Sequence, residues 1–327
     1  MAEKKTLLSG IKPTGRPHIG NYFGAMRQFV EMQESYNSFY MIADYHALTS
    51  MQHPEELRAS ILNIAIDYLA IGLDPQKCVI FKQSDVPEHT ELTWIFNCIT
   101  TVSYLMRGHA YKDALAKNKD VDAGTFDYPM LMATDILLYS PDVVPVGADQ
   151  KQHVEFARDT AEKFNRIYGD TFKLPEPLIH PDVGTIPGTD GQKMSKSYNN
   201  TIGLFAEKNE IEKAIMKIPT DSHGIDESKD KTSVLYVLHK LVSSPAVFQK
   251  IDHAYENGGM GYHDVKRMLV ESMESFIMPF RKRRESIAAD QKHVLTTLAE
   301  GGKKARAVAA PIMQGIREKI GVTLYPL

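Results

Sequence analysis

The chain of 327 residues is poor in sulfur crosslinks and in indole: it holds two cysteines, Cys78 and Cys98, and one tryptophan, Trp94. So few thiols, with no CxxC pair, leave neither a disulfide framework nor a thiolate zinc site to organise the fold. No apolar run is long enough to span a bilayer, and the opening Met1-Ala2-Glu3-Lys4-Lys5-Thr6 lacks the apolar core of a secretory leader. The expectation is a cytoplasmic protein with no membrane attachment. Internal repeats and low-complexity tracts are missing too. Nor is there an excess of positive charge, since 38 Lys+Arg stand against 41 Asp+Glu for a formal −3. That balance argues weakly against nucleic acid as a partner. Binding responds to the local field, however, and positive charge collects late in the chain at Arg281-Lys282-Arg283-Arg284 and Lys303-Lys304-Ala305-Arg306.

What is present has a clear order. The length suits two well-packed domains. Short apolar runs at Thr6 to Ser9, Phe39 to Ala43, Cys78 to Phe81 and Val143 to Val146 read as strands. Helical spacing follows at Ile19 to Glu34, at His53 to Ile71 ending on Gly72, and at Asp149 to Phe164. Strand and helix in alternation predict an α/β fold, a doubly wound parallel sheet with helices on both faces. From about 205 the pattern turns almost wholly helical. Segments are expected at Lys208 to Lys217, Ser233 to Leu241, Tyr262 to Ile277, Pro279 to Ala299 and Lys304 to Ile320. The expected domains are therefore 1–205, carrying the sheet, and 206–327, all helical, with the last helix allowed to pack back on the first domain.

Two constellations carry chemistry. Pro13-Thr14-Gly15-Arg16-Pro17-His18-Ile19-Gly20-Asn21 follows the first strand and opens the first helix, where a doubly wound sheet takes a nucleotide. Backbone N–H groups at that helix start favour phosphate oxygens, and Gly20 lets a flat base approach the backbone. Taken alone it could equally be a helix start with a capping histidine. The second is Lys193-Met194-Ser195-Lys196-Ser197, preceded by Pro187-Gly188-Thr189-Asp190-Gly191. Its lysines and hydroxyls suit a transferring phosphate, where catalysis is mainly positioning and charge stabilisation.

Together the pair resembles the HIGH and KMSKS signatures of class I aminoacyl-tRNA synthetases. The resemblance narrows to the tryptophanyl-tRNA synthetase family at Tyr128-Pro129-Met130-Leu131-Met132-Ala133-Thr134-Asp135-Ile136-Leu137-Leu138-Tyr139 and at Val144-Pro145-Val146-Gly147-Ala148-Asp149-Gln150. Ser9-Gly10-Ile11-Lys12-Pro13-Thr14-Gly15 and Thr220-Asp221-Ser222 also match. The resemblance implies a class I Rossmann-type catalytic domain followed by a helical, anticodon-binding one. It implies an ATP site lined by Lys12, Pro13, Thr14, Gly20 and Asn21, with His18 facing the triphosphate. Gly147, Ala148 and Asp149 would hold the ribose side and Ile186 the adenine. Lys193, Met194, Ser195, Lys196 and Ser197 would close over the phosphates, with Lys193, Ser195, Lys196 and His18 as the catalytic set. Asp135 would accept the indole N–H of L-tryptophan, with Tyr128, Met132, His46 and Gln150 shaping the pocket. The implied partners are ATP with Mg2+ bound through its phosphates, tryptophan, tRNA(Trp) and a second copy of the chain in a homodimer; no protein-held metal is implied.

Three positions depart from the family pattern. Asn21 stands where the class signature has its second histidine, Lys12 where glutamine is often found, and Ala148 where glutamate is common. The rivals are the sister tyrosyl enzymes, a non-synthetase nucleotidylyltransferase, and a paralogue that binds nucleotide or RNA without aminoacylating. His89 and His153 begin HxE triplets that lack a following PCxxC, so they are expected at the surface or behind a site rather than on zinc. Lys112, Lys117 and Lys119 read as a solvated run with one possible pyrophosphate contact, and Trp94 as packed within a helix.

Overall fold

The computed structural model describes residues 4–116, 120–147, 151–178 and 186–325. The chain forms two compact units: Met1–Gly15 with Phe29–His180 and Asp290–Leu327, and Arg16–Gln28 with Pro181–Ala289.

The first unit is built on a parallel sheet of β1 (Thr6–Ile11), β2 (Asn37–Ile42), β3 (Cys78–Lys82), β4 (Val143–Pro145) and β5 (Glu176–Leu178). Their order is β3-β2-β1-β4-β5. β2 is buried from Ser38 to Ile42, as an inner parallel strand covered on both faces must be. Gly10 in β1 faces Met41 so closely that a Cβ would lie 2.8 Å from its carbonyl oxygen, which explains a glycine inside a strand. β5 carried no periodic signal, being three residues with Pro177 in the middle. The order reverses its direction of growth between β1 and β4. The loops leaving their carboxyl ends, Lys12-Pro13-Thr14 and Val146-Gly147, therefore flank the crevice where such sheets take ligands.

The Gln291–Lys319 helix packs on β3, an edge strand whose free backbone it covers. Gly301 and Gly302 make the approach possible. A Cβ on Gly301 would lie 1.7 Å from the Ile80 carbonyl oxygen, and one on Gly302 would lie 2.7 Å from the Asp85 Cβ. Arg306 donates to Glu88 at 3.0 Å and Arg317 to Glu91 at 2.7 Å, fastening the same helix to the Glu88–Ile99 helix. Trp94 lies on that helix as expected but is 71% exposed, so it is not a packing residue of the unit.

In the second unit, the helices Lys208–Met216, Val234–Val242, Pro245–Asn257 and Tyr262–Ala289 bury Ile211, Ile215, Leu235, Leu238, Ile251, Val265, Leu269, Met273 and Ile277. The sequence pattern put a break at Pro279. The helix instead runs through it, because a proline removes one ladder bond without stopping a helix that neighbours hold. The break falls at Asp290, whose carboxylate accepts from the His293 N–H at 3.1 Å and starts the next helix.

The two glycine environments make a paired prediction. Gly301→Ala meets backbone that cannot move aside, so it should cost about 1–3 kcal/mol despite the better helix propensity of alanine. Gly315→Ala, in the same helix with nothing within 4 Å of the new Cβ, should gain up to about 1 kcal/mol. Urea unfolding of both variants measures the difference, and a Gly301→Ala midpoint at or above the Gly315→Ala one would contradict this packing.

Candidate active site

The Ala123–Leu137 helix begins at Asp122, whose carboxylate accepts from the Thr125 N–H at 2.6 Å. On this helix Tyr128 and Met132 are half-buried, and Asp135, one turn further on the same face, is buried. Asp135 is the centre of a hydrogen-bonded cluster. Gln83 Nε2 donates to Oδ1 at 2.7 Å, His89 Nδ1 meets the same oxygen at 2.6 Å, and His46 Nε2 meets Oδ2 at 2.7 Å. His89 Nε2 pairs with the Tyr139 hydroxyl at 2.8 Å. The ring of Tyr128 lies edge-on to His46, and its hydroxyl is 3.4 Å from His153 Nε2. Burial on its own pushes the Asp135 carboxyl up; the attraction and hydrogen bonds of His46 and His89 overcome it and bring the group to about 2. It is thus an ionised, acceptor-only group inside an apolar cluster that includes Phe81, Ala133, Ile136 and Leu137.

Lys12, at the end of β1, donates from Nζ to the Thr49 hydroxyl at 2.9 Å, and Thr49 in turn donates to the His46 carbonyl at 2.9 Å. Burial lowers its ammonium below the ordinary lysine range. The lysine therefore stands on the turn that carries His46. Pro13 is buried, while Thr14 and Gly147 are exposed.

The second unit brings the two signatures together. Residues 17–19 pair with 202–204: the Ile19 N–H donates to the Ile202 carbonyl at 3.0 Å, and the Leu204 N–H to the Pro17 carbonyl at 3.0 Å. Gly20 lies against Met194, with 3.3 Å between a Cβ built on the glycine and that of the methionine. His18 and Asn21 cap each other: the His18 N–H donates to Asn21 Oδ1 at 3.1 Å, and the Asn21 N–H to His18 Nδ1 at 3.3 Å. Burial, helped by the charge of Lys196, lowers His18 to about 4, so it is a neutral imidazole at pH 7. Ile186 and Met194 pair across a tight hairpin, with the Met194 N–H donating to the Ile186 carbonyl at 2.9 Å. Ser195 and Ser197 hydroxyls lie 2.9 Å apart, and Lys193 and Lys196 are exposed.

Asn200 holds this loop, and sequence reasoning missed it. Its side chain is buried; Oδ1 accepts from the Ser195 N–H at 2.8 Å, and Nδ2 donates to Asp190 Oδ1 at 2.7 Å and to the Lys193 carbonyl at 3.2 Å. Gly188 makes room, since a Cβ there would fall 2.2 Å from Asn200 Nδ2. Gln83, which stands outside every motif, was missed as well, and no role was given to Tyr139; His89, expected at the surface or behind a site, is fully buried behind Asp135. Ala148, Asp149 and Gln150, like Lys117 and Lys119, lie outside the described residues.

The chain matches the family of class I tRNA synthetases for tryptophan and tyrosine over residues 2–277. It is 49% identical over 319 residues to a tryptophan--tRNA ligase of Fusobacterium nucleatum, covering 97% of this chain and 98% of that one. A ligase of the same name from Rhodopirellula baltica is 49% identical over 318 residues, covering 97% and 99%. Among solved structures, the tryptophanyl-tRNA synthetase of Campylobacter jejuni complexed with ADP and tryptophan superposes with a TM-score of 0.91 at 42% identity, over 97% of this chain and 99% of that one. A parallel sheet with its crevice at the β1/β4 reversal, and two signatures packed on each other, are what a class I aminoacyl-tRNA synthetase requires. Within that class the chain belongs to the bacterial-type tryptophanyl-tRNA synthetase family.

Two measurements probe the second unit. By histidine NMR, His18 should titrate near pH 4, and Lys196→Met should move that value up. Because the unfolded chain takes up this proton near 6.5, His18 costs the fold stability as pH falls from about 6.5 towards 4 and costs nothing above that window. A midpoint at 6.5 would mean that His18 is solvated. Separately, Asn200→Ala removes bonds each worth about 1 kcal/mol. Hydrogen exchange at the Ser195 amide should quicken at least tenfold; an unchanged rate would show that the loop is held by other contacts.

Proposed function

We infer that this chain is an ATP-dependent tryptophan–tRNA ligase. It joins L-tryptophan and Mg-ATP into tryptophanyl-adenylate and pyrophosphate, then transfers the tryptophanyl group to the terminal ribose of tRNA(Trp). The near-full-length likeness to tryptophan--tRNA ligases carries this reading. The chemistry needs no covalent nucleophile on the protein. The tryptophan carboxylate attacks the α-phosphate, pyrophosphate leaves, and the protein supplies position and charge.

The residue roles follow from what each group can do. Asp135 is an ionised acceptor in an apolar setting, and the indole nitrogen is a donor only. Tyr128 and His46 give ring faces beside it, Met132 adds a thioether one turn before it on the same helix, and Gln150 completes the assigned pocket. ATP is assigned to Lys12, Pro13, Thr14, Gly20, Asn21, Gly147, Ala148, Asp149 and Ile186, with the Lys193 to Ser197 loop on its phosphates. His18, neutral at pH 7, donates a hydrogen bond to phosphate without adding charge. Mg2+ enters with the nucleotide.

The tRNA is assigned to the helical region. Of the basic run, Arg281 does not serve: it is held by Glu274, Glu207 and the Ala206 carbonyl, and its side chain is 13% exposed. Arg284 is half-buried over the Phe205 ring; Lys282 and Arg283, the latter beside the Phe280 ring, are the exposed cations of that run for phosphate. The assembly we assign is a homodimer in the cytoplasm. Large apolar side chains exposed along 94–106, namely Trp94, Val102 and Met106, support a protein partner on the sheet-bearing unit.

ATP–pyrophosphate exchange with each of the twenty amino acids tests the reading. Tryptophan alone should support exchange. Tyrosine-dependent exchange would place the chain with the sister enzymes, and none at all with a non-aminoacylating paralogue. In the same assay Lys196→Ala should cost about 3–4 kcal/mol of activation energy, a loss of two to three orders of magnitude in kcat, while tryptophan binding changes little. Wild-type turnover in that variant would remove Lys196 from the catalytic set.

A further inference from the structure

Asp135 already holds three hydrogen bonds from the protein, and they are unevenly shared. Oδ1 receives both Gln83 and His89, while Oδ2 receives His46 alone. A carboxylate oxygen has two lone pairs, so among the described residues Oδ1 is saturated and Oδ2 has one acceptor position left. We propose that Gln83 and His89 are positioning residues for tryptophan selection: they clamp Oδ1 so that Oδ2, beside His46, is the oxygen that reads the indole N–H. The proposal rests on the assignment of Asp135 to the tryptophan pocket.

The clamp is fixed in both members. Gln83 is fully buried, and its Oε1 accepts the Tyr45 N–H at 3.1 Å; that bond makes Nε2 the atom that faces Asp135. The Tyr45 N–H belongs to the Asp44–Ala47 turn, which also carries His46, so Gln83 ties the two donors of the carboxylate into one piece. His89 is fully buried and faces an acceptor-only group with Nδ1, so Nδ1 carries a proton toward Asp135, and Nε2 pairs with the Tyr139 hydroxyl at 2.8 Å. The His89 ring also stacks on Phe81. His46 is different: its side chain keeps 12% exposure against 4% for Asp135, so the open side of the cluster is the Oδ2 side.

Without the clamp the carboxylate is free to turn, because the terminal torsion of aspartate is broad. An acceptor that turns can meet a water instead of an indole, and an apolar rival such as phenylalanine then leaves no lone pair unsatisfied. Selectivity needs an acceptor that is held open whether or not its partner arrives.

The test uses the full-length protein, with tryptophan- and phenylalanine-dependent pyrophosphate exchange and a circular-dichroism melt for each variant. His89→Phe keeps the ring and removes both nitrogens; Gln83→Met keeps the length and removes the amide. Each should raise the tryptophan KM by about tenfold or more and lower the tryptophan-over-phenylalanine preference by a similar factor, as expected for one lost charge-assisted hydrogen bond. The ATP KM and kcat should change far less. His89→Asn, whose side-chain amide can present an N–H near the place of Nδ1, should restore most of the preference. Tyr139→Phe gives a smaller effect in the same direction and serves if the His89→Phe melt shows an unfolded chain. Asp135→Asn separates the two levels of the argument. If it loses selectivity while the Gln83 and Tyr139 variants keep the wild-type tryptophan KM and preference, the clamp is refuted and the pocket stands. If Asp135→Asn itself keeps wild-type selectivity, the pocket assignment fails. Equal losses in kcat, ATP KM and tryptophan KM would mean a structural role only, and would also overturn the clamp.

Discussion

The burial of one carboxylate dictates much of the first unit. Taking an ionised Asp135 out of water is costly unless donors surround it, and no single neighbour supplies enough of them. The donors come from the turn after β2, the segment after β3 and the Glu88–Ile99 helix, so these elements must arrive together around the Ala123–Leu137 helix. Asp44 reinforces the arrangement by accepting from the Ser84 N–H and hydroxyl, which locks the β2 turn to the β3 turn. The Gln291–Lys319 helix then braces the outside through Arg306 on Glu88 and Arg317 on Glu91. A carboxylate held from three sides is rigid, which is the property that the proposed discrimination between an indole and a plain ring relies on.

The second unit solves a different problem, the placing of exposed cations. Lysines proposed to act on a phosphate must reach solvent, yet must be held in one place. Here the loop from Lys193 to Ser197 stays exposed while its base is fixed by Met194 against Gly20 and by the buried Asn200. The strand-like pairing of 17–19 with 202–204 supplies the anchor on the other side. The neutral state of His18 follows from the same crowding, since a second cation beside Lys196 would be repelled. Asn21 is adequate in place of a histidine because its amide oxygen receives the His18 N–H and closes the helix start.

How much of this could be read in the sequence depends on the range of the interaction. Four of the five strands stood out because buried parallel strands are continuous apolar runs, and both signatures were visible as contiguous words. Asp135 was legible because an acid in an apolar helix has few reasons to be there. Of its partners, His46 came with the family pattern, whereas Gln83 lies 52 residues away with nothing local to mark it, and His89, 46 residues away, was expected only at the surface or behind a site. Asn200 was hidden for the opposite reason, as an ordinary turn residue whose importance lies in burial alone. Pro279 misled because its local effect is real but weaker than the packing of a long helix, and Trp94 because an apolar neighbourhood in sequence does not tell which face of a helix meets the core.

Charge offers the sharpest separation between pattern and structure. The runs at 281–284 and 303–306 look alike as strings, and a protein that handles nucleotide and RNA invites reading both as binding patches. Two of their arginines have other duties. Arg281 is held by two glutamates within its own unit, and Arg306 reaches Glu88 across from the edge helix. A guanidinium committed to a carboxylate contributes little field to a distant phosphate, so the potential of such a run is set by what remains exposed after folding. In the first run that is Lys282 and Arg283, and in the second it includes Lys303 and Lys304. A net charge of −3 therefore says little about where a polyanion could bind: the local field is set by which cations stay exposed and which, like Arg281 and Arg317, are held by carboxylates.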